Sequence, residues 1–199
     1  MSFYPVIIAF LFIFISELGD KTQLLVISFS SKQKVATILL GVALGSVLSH
    51  GIAILFGSQL GLIQNETIEN ILKLVTYLSF LAFGLITLFQ KETKEENEKK
   101  TGWLNRLTNS KMNYILIIAL TIAIGELGDK TFLASLGLGI EYPNEKIFLI
   151  VGAVLGMVMS DLLAILFGKM LSKKIPEKVM KKLSGVLFCI FGLIGLIGG

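Results

Sequence analysis

A chain of 199 residues that is 54% hydrophobic and only 16% charged, with a mean hydropathy of +0.81, falls outside the soluble globular class, in which charged residues make up about 25%. Its formal net charge is +4, and its one cysteine, Cys189, excludes an intramolecular disulfide.

A membrane-spanning helix needs roughly 20 mostly apolar residues. Six segments meet that need: 4–29, 36–58, 68–90, 112–138, 147–169 and 178–198. The start, Met1 to Pro5, has no basic region, so a cleavable signal peptide is not expected and the first segment is retained. Within that segment stands Glu17-Leu18-Gly19-Asp20-Lys21-Thr22. Segment two carries Gly41, Gly45, Ser49, His50 and Gly57, and segment three carries Phe83-Gly84-Leu85-Ile86. Residues 91–111, rich in Lys and Glu, read as a solvated linker. Segment four then repeats the hexapeptide as Glu126-Leu127-Gly128-Asp129-Lys130-Thr131. Segment five repeats the second with Gly152, Gly156, Ser160, Asp161 and Gly168, and segment six repeats the third with Phe191-Gly192-Leu193-Ile194. The expected fold is therefore all-α and polytopic: six transmembrane helices, with residues 1–90 and 112–199 as three-helix repeats joined by the 91–111 linker. Three is odd, so the second repeat enters the membrane from the opposite side and the repeats are inverted.

Basic residues predict the orientation. Lys32 and Lys34, the six basic residues of the central connection, and Lys169, Lys173, Lys174, Lys178, Lys181 and Lys182 fall on one side, against Lys73 and Lys146 on the other. The positive-inside rule makes the first side cytoplasmic and puts both termini outside, with the cell's inner membrane as the expected location. The positive charge then reflects topology and contact with anionic lipid, and nucleic acid need not be invoked.

Each charge near a bilayer centre costs at least ~2.5 kcal/mol, so the paired hexapeptides call for a functional reason, an ion or proton pathway. On a continuous helix Glu17, Asp20 and Lys21 share one face. The glycine between the carboxylates either admits a neighbouring helix or loosens the helix and frees carbonyl oxygens. A two-fold relation brings Glu126, Asp129, Lys130 and Thr131 to Glu17, Asp20, Lys21 and Thr22 near the midplane. Such a carboxylate cage suits hard divalent cations such as Ca²⁺, Mn²⁺ and Mg²⁺. Without a Cys or His pair, zinc or copper is not expected. Four carboxylates against two lysines leave a charge of minus two, which one divalent cation or two protons neutralise, and exchange follows. The competing reading, an ion-pair network that only glues the bundle, is costly where small-residue packing suffices.

Two copies of Glu-x-Gly-Asp-Lys-Thr, each in the first segment of a three-helix half, resemble the signature of the membrane cation/proton exchangers whose eukaryotic members are Golgi manganese and calcium transporters. The resemblance covers the whole chain in layout. It implies export of Mn²⁺, or of Ca²⁺, from the cytosol in exchange for protons, with Glu17, Asp20, Glu126 and Asp129 as ligands.

Outside the motifs, Asp161 reads as a salt-bridge partner of Lys21 or Lys130 or as a proton relay. His50 reads as a hydrogen-bonded packing residue or a relay. Gln23, Ser46, Ser49, Thr121 and Ser160 offer neutral oxygens, Gln23 foremost because it adjoins the motif. Cofactors are not expected, the metal being cargo; homo-oligomerisation is left open. An amino-acid exporter, with Lys21 and Lys130 anchoring a substrate carboxylate, and a cation channel are the alternatives. An enzyme is not expected, because no protease or zinc-ligand signature is present.

Overall fold

The computed structural model describes residues 3–18, 20–30, 33–63, 66–89, 113–174 and 177–198, so the 91–111 connection lies outside the described residues. These residues form helices and turns, with no strand among them. Helix α1, Tyr4–Glu17, opens on Pro5, whose missing N–H costs nothing in a first turn. Helix α2 is Lys21–Ser30. Helix α3, Val35–Ser46, runs through a π-helical turn, Val47–Gly51, into α4, Ile52–Gly61. Helix α5 spans Glu66–Phe89. Helix α6, Tyr114–Glu126, starts where the Asn113 side chain accepts a 3.0 Å hydrogen bond from the Ile115 N–H. Helices α7, Lys130–Glu141, α8, Lys146–Lys174, and α9, Glu177–Gly198, complete the chain.

Segments one and four are therefore not single helices. Each breaks inside its hexapeptide, into α1 and α2 and into α6 and α7. The stretches Val35–Gly61, Asn70–Phe89 and Pro143–Phe167 are long and apolar enough to cross a membrane, and Tyr4–Glu17, Tyr114–Glu126 and Gly185–Ile197 are shorter apolar helices.

Helix α1 packs along α8 as α6 packs along α3; α2 meets α8 as α7 meets α4; α5 pairs with α9. Glycines set the closest approaches. A Cβ on Gly45 would stand 2.7 Å from the Ala119 carbonyl oxygen, and one on Gly156 would stand 2.7 Å from that of Phe10. Only a missing side chain lets the backbones come this near, as in packed membrane helices. Where α1, α5 and α9 meet, Phe12 packs edge-on against Phe188 and Phe191, with ring centroids 5.0 and 4.5 Å apart, and tilts against Phe80 at 5.5 Å.

The polarity is inside out. Glu17, His50, Glu126, Asp161 and Ser160 are buried, while Leu40, Leu44, Leu48, Ile52 and Leu55 lie exposed along α3 and α4. A water-soluble domain would expose large continuous apolar surface only at a partner site. Here that surface runs over the helices and faces lipid: the chain is a membrane protein.

Candidate cation site

Both hexapeptides end a helix at their glutamate. Helix α6 ends at Glu126; Leu127 follows at φ −60° and ψ 118°, Gly128 at φ +80°, and the Asp129 N–H donates to the Glu126 carbonyl at 3.1 Å. These are the values of a type II turn, whose third residue needs positive φ and hence glycine. Leu18 repeats the −60° and 118°, and the Asp20 N–H donates to the Glu17 carbonyl at 3.1 Å. The expectation that Glu17, Asp20 and Lys21 share one helical face is thus corrected, because the turn ends one helix at the glutamate and starts the next at the lysine. Each glutamate closes the C-terminal end of a half-helix, where the negative end of the helix dipole adds to the carboxylate, a setting that favours a cation.

Both glutamates and His50 are fully buried. One ligand atom from each of Glu17, His50 and Glu126 lies within 4.8 Å of the other two. The Thr131 hydroxyl donates to Glu126 Oε2 at 2.9 Å. Ser135 Oγ lies 3.1 Å from His50 Nδ1. Both oxygens of Glu17, Oε1 of Glu126 and Nε2 of His50 have no hydrogen-bond partner among the described residues. Leaving one buried polar atom unpaired costs about 1–3 kcal/mol, and more where it is charged, so these four atoms form a donor set able to coordinate a cation. His50 stands on the π-helical turn of the second segment, whereas its counterpart Asp161 stands on unbroken α8. Single π turns recur at functional sites because they re-aim a side chain.

Around this deep trio lie the half-buried residues Asp20, Asp129 and Lys130. Glu17 feels the charges of Glu126, Asp20, Lys130 and Asp129, and all four carboxylates act on Lys130. The structure thus brings both hexapeptides to one place. Lys21 begins α2, and its side chain lies outside the described set. Asp161 is buried, is influenced by Asp20, and has no partner on either oxygen among the described residues. Of the two lysines expected to pair with Asp161, Lys130 makes no hydrogen bond to it, and the Lys21 side chain lies outside the described set.

The neutral candidates divide. Gln23 Nε2 donates to Ser160 Oγ at 2.7 Å, tying α2 to α8. Ser49 and Thr121 donate to carbonyls of their own helices. Thr22 and Ser46 keep buried hydroxyls without partners among the described residues. Ser135 is the residue that sequence reasoning does not single out: a serine in an apolar run carries no signal, and its role depends on a contact with His50 far along the chain.

The comparisons with known proteins give the family. The chain matches the family described as divalent cation/proton antiporter GDT1 over residues 5–95 and 114–199. It is 30% identical to a "Putative manganese exporter" of Vibrio cholerae serotype O1 over 184 residues, 90% of this chain and 84% of that protein. It is 27% identical to "Protein PAM71, chloroplastic" of Arabidopsis thaliana over 204 residues, 94% of this chain and 55% of that protein. It is 26% identical to "GDT1-like protein sll0615" of Synechocystis over 197 residues, 92% of each. No solved structure matches. Because the match covers both halves and leaves out most of the charged connection, as the paired hexapeptides lead one to expect, the chain belongs to the GDT1 family of divalent cation/proton antiporters.

Proposed function

We propose that this protein exports a divalent cation from the cytosol in exchange for protons, with Mn²⁺ the first candidate and Ca²⁺ the second, and with Glu17, Asp20, Glu126 and Asp129 holding the metal. The carrying observation is the convergence of the two motif glutamates, each fully buried, with ligand atoms within 4.8 Å of one another and of His50. A net negative charge held in a dry bundle is unstable unless something cancels it. Either one divalent cation or two protons cancels the minus two of four carboxylates and two lysines, so the loads exclude each other and antiport follows. Lys130, and Lys21 by symmetry, hold the count at two. The manganese preference is supported by the name of the Vibrio relative, "Putative manganese exporter".

In this reading the six segments span the membrane as two inverted repeats, with both termini outside and the basic connections in the cytoplasm. The helix pairing supports it: exchanging α1 with α6, α2 with α7, α3–α4 with α8 and α5 with α9 turns each of the main contacts into another or into itself. Rocking of one repeat against the other around a site at broken helices then opens it to either face.

Glu17→Gln and Glu126→Gln each remove a ligand charge at almost constant volume. Each is expected to abolish metal transport in proteoliposomes while the protein still inserts. Normal transport by both variants would refute the site.

A further inference from the structure

We propose that His50 is itself a ligand of the transported cation through Nε2, so that the deep part of the site holds two carboxylates and one imidazole and selects Mn²⁺ and its first-row neighbours over Ca²⁺ and Mg²⁺. The proposal rests on the reading of Glu17 and Glu126 as cation ligands and adds the feature that chooses the cation. A ring nitrogen of His50 stands within 4.8 Å of a carboxylate oxygen of each glutamate. The ring is fully buried. Nδ1 is engaged by Ser135 Oγ at 3.1 Å, and Nε2 has no partner among the described residues. If Nδ1–H donates to the serine, Nε2 presents its lone pair, the same division of labour found in metal-bound histidines whose second nitrogen is held by a neighbour. The π-helical turn under His50 sets the ring there.

The chemistry discriminates. Ca²⁺ takes six to eight oxygen ligands and Mg²⁺ wants oxygen octahedra, so neither gains from a nitrogen in place of an oxygen. For a given site of nitrogen and oxygen donors affinity rises from Mn²⁺ through Fe²⁺ and Co²⁺, so Mn²⁺ is the weakest imidazole binder of that series and the one closest to Ca²⁺ and Mg²⁺ in its taste for oxygen; one imidazole beside two carboxylates is a mixed donor set it accepts. Asp161, the counterpart of His50 in the other half, would give an all-oxygen site. The asymmetry between the halves thus makes the site a mixed one.

His50 is the only histidine of the chain, which makes the test direct. Tag-free protein is grown with ordinary or ¹⁵N-labelled histidine, loaded with Mn²⁺ and read by electron spin echo envelope modulation, in the native sequence and in Glu17→Gln and Glu126→Gln. The expected result is an imidazole ¹⁴N modulation that becomes ¹⁵N on labelling, with Mn²⁺ binding lost in both glutamine variants. Mn²⁺ that needs Glu17 and Glu126 but shows no isotope effect overturns the role of His50 and leaves the carboxylate site standing. Mn²⁺ that binds regardless of both glutamates, or does not bind, overturns both readings. His50→Gln should in addition lower the transport preference for Mn²⁺ over Ca²⁺ by about tenfold or more. An unchanged preference contradicts the proposal, and the isotope result decides it should that variant fail to fold.

Discussion

Thr131 and Thr22 occupy equivalent places in the two hexapeptides, yet only Thr131 donates to its glutamate, at 2.9 Å, while the buried Thr22 hydroxyl has no partner among the described residues. Among the described residues the halves therefore differ in how they hold their carboxylates: Glu126 accepts a side-chain hydrogen bond and Glu17 accepts none. A hydrogen bond to a charged group is worth ~1.5–3 kcal/mol, so Thr131→Ala should weaken Mn²⁺ affinity by roughly tenfold or more. Thr22→Ala should have a smaller effect. Equal losses in a binding titration of the two variants would show that the asymmetry has no functional weight. That Glu17 and Glu126 point into the bundle was readable from the sequence, because charges in apolar segments avoid lipid. The partner of His50 was not readable, because Ser135 reaches it from α7 across the bundle and no local spacing announces such a contact.

At the scale of elements, the decisive feature is the turn that divides α6 from α7. Glycine in an apolar helix permits both close packing and a break, so the residue types alone left the choice open; the positive φ of Gly128 resolves it. An added Cβ at Gly128 meets nothing within 4 Å among the described residues, so Gly128→Ala isolates the backbone term. Left-handed backbone costs a non-glycine residue ~1–2 kcal/mol. The variant should lower the thermal midpoint in detergent by a few degrees. It should also impair transport, because the turn fixes Glu126 relative to Asp129. An unchanged midpoint with full transport would show that the turn is dispensable. The repeated residues were legible in the sequence, but that the matched Gly45 and Gly156 both abut backbone oxygens of the opposite half is visible only in the fold.

For the whole molecule, the uneven distribution of lysines predicts a cytoplasmic central connection and external termini. Single cysteines at Lys99 and at Ser2, in a Cys189→Ala background, should react with an impermeant thiol reagent from opposite sides of sealed cells, and labelling at Lys99 from outside would reverse the topology. The proposed site charge of minus two, from four carboxylates against two lysines, predicts an electroneutral cycle. Each net charge moved would be worth ~2.3 kcal/mol per 100 mV, so an imposed potassium-diffusion potential should leave the metal gradient of the native protein unshifted. A gradient that becomes voltage-dependent in Asp161→Asn would place Asp161 inside the proton count. Site and cycle meet in one measurement, simultaneous recording of Mn²⁺ entry and lumenal pH in proteoliposomes of the purified protein. The expected result is Mn²⁺ movement accompanied by opposite proton movement in a ratio of one to two, with both fluxes lost together in Glu17→Gln. Mn²⁺ movement without a proton counterflow, or a coupled flux that survives the loss of Glu17, would contradict the account.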